Sequence, residues 1–156
     1  YNVKYLYSEI AKILGIDRQH NVIIIGAGNL GQAIANYTNF ERRGFVIRGM
    51  FDINPKLIGL VIRGIEIRSV VDLAPFIREN EIQIAALTIP STKEPEIADR
   101  LVNAGIRAIW NFAHTDLVVP EDVVVENVHL SESLMRLSYR VSSMYDLQEE
   151  KKNALK

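Results

Sequence analysis

Apolar residues at Val3, Leu6, Ile10, Ile13 and Leu14 follow the spacing of one helical face, and Gly15 is placed to stop that helix. The pattern then changes to a continuous β-branched run, Val22-Ile23-Ile24-Ile25, which predicts a buried strand over 22–25. A helix over 29–40 is expected next. The polar stretch Glu41-Arg42-Arg43-Gly44 leads into a second strand over 45–51, and Asp52-Ile53-Asn54-Pro55 reads as a turn. Residues 60–68 look like short extended pieces around Gly64. A short helix over 70–79 carries Pro75 near its start, where a missing N–H is tolerated. A strand over 84–89 is ended by Pro90. Ser91 or Thr92 is expected to cap the following helix, which has Glu94 and Pro95 in its first turn and ends at Gly105. Strands over 106–111 and 123–125 complete the alternation. Near-continuous apolar strands separated by helices predict an α/β fold, a Rossmann-type parallel sheet with helices on both faces.

The last element differs. Apolar residues at Leu130, Leu134, Leu137, Val141 and Met144 are spaced 4-3-4-3, with Ser131 placed to cap the start. Two readings stay open: a helix that covers its own domain, or a seam against a second subunit, including a helix swapped between subunits. The stripe is too short for a free coiled coil.

Between the first strand and the first helix of the sheet lies Gly26-Ala27-Gly28-Asn29-Leu30-Gly31, a G-x-G-x-x-G motif. The motif is weak alone, but here a strand precedes it, a helix follows it, and an acid, Asp52, ends the second strand. Gly26 permits the tight turn, Gly28 the approach of a diphosphate to the backbone, and Gly31 close packing of helix on strand. Free N–H groups at the helix start would hold the phosphates. A carboxylate at Asp52 would accept the ribose hydroxyls and repel a 2′-phosphate, so NAD(H) is favoured over NADP(H). The competing reading is a tight strand–helix turn of another α/β protein.

Composition narrows the field. A chain of 156 residues, 48% hydrophobic and 24% charged, is one ordered domain by length. A net charge of −1 makes no electrostatic case for gripping nucleic acid. With no cysteine, thiolate metal sites and cysteine nucleophiles are excluded. No apolar run is long enough to span a membrane and no signal peptide is visible, so a soluble, cytoplasmic protein is expected. The chain begins at Tyr1 rather than Met, which leaves open that it is a piece of a longer protein.

Catalytic residues are hard to find. A dehydrogenase needs an acid–base group at the nicotinamide. Of three histidines, His20 precedes the first strand and is expected to be solvated, and His129 precedes the last helix. His114, after the strand over 106–111, is the best candidate. There is no histidine–carboxylate metal pattern and no G-x-S-x-G, and almost the whole chain is consumed by the nucleotide fold. The expectation is no enzyme, no catalytic residue and no metal. Two strand-end loops should face the cofactor. Thr88 and Pro90 belong to the first, Asn111 and Phe112 to the second. Thr88 can bond a phosphate or ribose, Asn111 the carboxamide, and Phe112 can lie by the nicotinamide. Alternatively each simply ends a strand.

Tyr1-Asn2-Val3 followed by a helix and Ile13-Leu14-Gly15, the glycine motif, Gly49-Met50-Phe51-Asp52, Ala104-Gly105-Ile106, Asn111-Phe112-Ala113, and Val125-Glu126-Asn127-Val128 leading to Leu137-Ser138-Tyr139 together resemble the Rex redox-sensing transcriptional repressors, through essentially the whole chain. The resemblance implies a homodimer that senses the NADH/NAD+ ratio, whose C-terminal helix is exchanged between subunits and inserts near the partner's nicotinamide pocket. It implies an amino-terminal winged-helix domain that binds operator DNA and releases it when NADH binds. That domain would precede Tyr1, so operator DNA is a partner of the full-length protein only. The corresponding division is a linker helix over 1–20, a Rossmann NAD(H)-binding domain over 21–128, and a swapped helix and tail over 129–156. Two residues depart from the family pattern: His114 stands where proline is usual, and His129 where an acid is usual, which puts discrimination between the redox forms in doubt. Two rivals remain, the nucleotide- or CoA-binding part of a dehydrogenase or CoA ligase, and a structural dimerisation module with a vestigial site.

Overall fold

The computed structural model describes residues 2–14, 19–90, 92–113 and 116–156. Gly15, Ser91 and His114 lie outside the described residues, and with them the helix stop, one capping candidate and the acid–base candidate. Helix α1 (Val3–Leu14) leads to strand β1 (His20–Ile25), then α2 (Asn29–Ala35), α3 (Asn39–Arg42) and β2 (Phe45–Asp52). A hairpin of β3 (Val61–Ile62) and β4 (Ile65–Ser69) follows, then a 3-10 turn (Val70–Asp72) and α4 (Leu73–Glu79). The chain continues through β5 (Ile84–Leu87), α5 (Glu94–Asn103), β6 (Ala108–Asn111) and β7 (Val124–Asn127) to the long α6 (Leu130–Ala154).

The strands form one sheet in the order β3-β4-β2-β1-β5-β6-β7. Every pairing is parallel except β3 with β4. The Rossmann expectation holds, with one amendment: the sheet is mixed, because 60–68 folds as an antiparallel edge hairpin. Its two-residue turn places Arg63 at φ 50° and Gly64 at φ 78°, the paired positive angles that match the twist of a tight hairpin.

Alternate residues of the central strands point to opposite faces, and the two faces are covered unequally. Ile23, Ile25, Phe51, Ala85, Leu87 and Ile109 pack with Leu73, Ile77, Ile97 and Leu101 of α4 and α5. On the other face Ile24, Met50, Ile67 and Ala86 pack with Ile34 and Ala35 of α2, and with partly buried residues that include Leu57, Ile62 and Ile65 toward the hairpin and Phe40, Trp110 and Phe112 toward β6. Beyond these lies an apolar groove of about 410 Å³, walled by Val22, Phe45, Ile84, Ala108, Trp110 and Val124, with Arg43 and Glu126 also lining it.

Four local expectations are corrected. The helix expected over 29–40 is broken at Asn36, whose side-chain amide donates to the Gln32 carbonyl at 2.9 Å while Tyr37 N–H turns to Ile34 at 3.1 Å. An asparagine that bonds back to residue i−4 competes with continuation of the helix. Thr92 does not take the N-cap of α5: Lys93 stands there, with no side-chain hydrogen bond to the helix. Helix α6 begins one residue after His129, so Ser131 lies inside it rather than capping it. His20 belongs to β1 and stacks on Phe45 at 5.4 Å between ring centres instead of standing free in solvent.

Candidate functional site

Reversal of strand order between β1 and β5 opens a crevice at their carboxyl ends, where ligands of such sheets bind. The chain leaves β1 through Gly26 at φ 110°, a conformation that favours glycine. Its N–H donates to the Phe51 carbonyl at 2.8 Å, which ties the turn to the end of β2. Asp52 grips the same turn: Oδ2 accepts the Ala27 N–H at 2.7 Å and Oδ1 the Asn54 N–H at 2.8 Å. The Thr88 hydroxyl is placed to donate to the carbonyls of Ile25 and Gly26, at 3.1 and 2.9 Å. The ends of β2 and β5 therefore hold the glycine loop in one shape.

The glycines differ in what requires them. A Cβ at Gly31 would lie 1.8 Å from the Gly26 carbonyl oxygen, so the loop backbone itself excludes a side chain there. Gly28 is exposed, its φ of −78° suits any residue, and nothing among the described residues comes within 4 Å of a Cβ built on it. Neither the fold nor its neighbours demand glycine there. The bare backbone faces open space at the start of α2, as a diphosphate cradle requires.

Gly26, Gly28, Asp52, Thr88 and Pro90 line one cleft of about 170 Å³, together with Ile53, Val70, Ile89, Lys93 and Ile97. Ala27 is buried behind the loop, Gly31 is buried beneath it, and Asn29 and Leu30 are exposed on the first turn of α2. Asn111 and Phe112 do not join this cleft. Asn111 is fully buried, donating to Asn127 Oδ1 at 2.9 Å and accepting the Ala113 N–H at 3.0 Å. Phe112 packs edge-on against Trp110, 4.6 Å between ring centres, under the second face. The sequence reading missed Ile53, Val70, Lys93 and Ile97. Ile97 reads as core, and only Lys93 left a signal, a cation at the start of a helix. Among the described residues no group of His, Asp or Glu could hold a metal ion.

Residues 17–115 match the family model of the CoA binding domain. The redox-sensing transcriptional repressor Rex of Caldanaerobacter subterraneus subsp. tengcongensis is 58% identical over 142 residues, 91% of this chain and 63% of that protein. The solved structure of RSP, a Rex-family repressor, superposes with a TM-score of 0.86 at 55% identity, covering 97% of this chain and 72% of its own. The chain belongs to the Rex family. It spans about 63% of the length of that curated Rex relative. The Rex-family RSP has been solved in complex with β-NADH and in complex with β-NAD+ and operator DNA, each superposing with a TM-score of 0.85. Those Rex relatives are transcriptional repressors, and the segments read from the sequence as Rex-like lie where the shared fold needs them: the glycine loop, the end of β2 and the end of β6.

Proposed function

We propose that this chain is the NAD(H)-binding, dimerising sensor part of a redox-sensing repressor, without catalysis, working in the cytoplasm. The observation that carries the reading is Gly28, a glycine that no contact and no backbone angle requires, at the floor of a cleft shared with Asp52. The diphosphate would take N–H groups at the start of α2. Asp52, preset by two backbone N–H groups, would accept the ribose hydroxyls on its remaining lone pairs. The cofactor then acts as a ligand that prefers one arrangement of two subunits. Its differential affinity for the two arrangements is what can alter a distant operator site, through NADH-driven release of DNA by the full-length protein.

Helix α6 supplies the second subunit's grip. No residue in it is buried, and its stripe of Leu130, Leu134, Leu137, Val141 and Met144 is bare. The apolar groove on the thinly covered sheet face is the matching surface. Exchange of α6 between subunits covers both at once. Titration calorimetry with NADH, NAD+ and CoA tests the cofactor reading. Binding of both dinucleotides, tighter for NADH, supports it; binding of CoA alone, or of none, refutes it.

A further inference from the structure

Lys93 stands where a lysine is out of place. It is the N-cap of α5, a position that favours Ser, Thr, Asp or Asn, and its side chain makes no capping bond. The positive end of a helix also disfavours a cation. Among the described residues, no carboxylate pairs with its ammonium. The same residue lines two adjoining cavities. One is the cleft with Gly28 and Asp52; the other, about 290 Å³, is bounded by Ile53, Val70, Glu96, Ile97 and Arg100. A locally unfavourable residue facing a ligand cleft is the kind of rule-breaking that function explains. Among the described residues, Lys93 is also the one basic residue lining the glycine-loop cleft, and Asp52 the only other charged one.

We infer that Lys93 is a further dinucleotide-binding residue, its ammonium donating to the diphosphate in the cleft that the glycine loop floors; this rests on the dinucleotide reading above. The diphosphate is common to both redox forms. Lys93 therefore sets the affinity for the cofactor and leaves the preference between NADH and NAD+ to other residues.

The test is Lys93→Ser in the full chain, a substitution that creates an S-x-x-E capping box with Glu96. Better capping should raise the melting temperature by about 2–4 °C. The affinities for NADH and NAD+ should fall by one common factor, roughly 1.5- to five-fold as for an exposed charge pair. That factor should shrink as salt is added. Lys93→Arg should retain most of the affinity, and binding of adenosine, which has no phosphate, should be unchanged by Lys93→Ser. Unchanged dinucleotide affinity in Lys93→Ser, or an equal loss for adenosine, overturns the role of Lys93 while leaving the cleft's assignment intact. A wild-type chain that binds neither dinucleotide overturns the assignment itself, and the inference with it.

Discussion

Two Gly→Ala substitutions three residues apart should behave in opposite ways. In Gly31→Ala the new methyl is aimed 1.8 Å from the Gly26 carbonyl oxygen and 2.9 Å from its carbon. Those are backbone atoms, held by the Gly26 N–H bond to Phe51 and the Thr88 hydroxyl, so the strain cannot be relieved by turning a side chain. Overpacking of this sort costs about 1–3 kcal/mol or more, a fall in melting temperature of roughly 2–4 °C per kcal/mol for a chain of this size. In Gly28→Ala the methyl meets nothing within 4 Å, at a φ of −78° that alanine adopts freely. Reduced freedom of the unfolded chain favours alanine by about 0.4–1 kcal/mol, and the N-cap preference for glycine over alanine opposes it by a similar amount. Stability should stay within about 1 kcal/mol of wild type. The methyl nonetheless occupies the space through which a diphosphate reaches the helix N–H groups, so dinucleotide affinity should fall at least about ten-fold, some 1.4 kcal/mol. Thermal unfolding and titration with NADH on both variants decide the matter. A stable Gly28→Ala chain with undiminished NADH affinity would refute the cradle. A Gly28→Ala chain that unfolds would refute the claim that only a ligand needs that glycine.

Asp52→Ala removes the acceptor for the Ala27 and Asn54 N–H groups, so it should lower stability by about 1–3 kcal/mol and weaken NADH binding; unaltered binding in a folded variant would leave the carboxylate without a ribose role. Deleting residues 130–156 should convert a dimer to a monomer in sedimentation, and a truncated chain that stays dimeric sinks the exchanged helix. Trp110 lies against Phe40 and Phe112 and lines the apolar groove rather than the cleft. Its emission should therefore shift to the red when residues 130–156 are removed, and an unchanged spectrum would mean α6 does not cover the groove.

Much of the fold was legible because it is written in short-range patterns. The β-branched run before Gly26 and the alternation after it follow from local periodicity, and α6 declared itself by its 4-3-4-3 stripe. The turn that carries Gly26, Gly28 and Gly31 and the placing of Asp52 beside it were legible because chain connectivity binds a strand–helix turn and a strand-end acid to fixed spacings. The break at Asn36 was not, since it turns on whether a side-chain amide reaches back to Gln32 or points to solvent. Lys93 and Val70 joined the cleft only when parallel pairing brought the ends of β1, β2, β4 and β5 side by side. Asn111 and Phe112 were expected at the cofactor, but Asn111 bonds Asn127 and Phe112 packs on Trp110, away from the open cleft. The sequence alone determined which residues form strands, helices and the glycine loop, because backbone geometry and apolar spacing act over a few residues. Only the tertiary structure decided which strand ends meet, what faces Gly28, and which sheet face stays bare, because these depend on contacts between residues far apart in the chain.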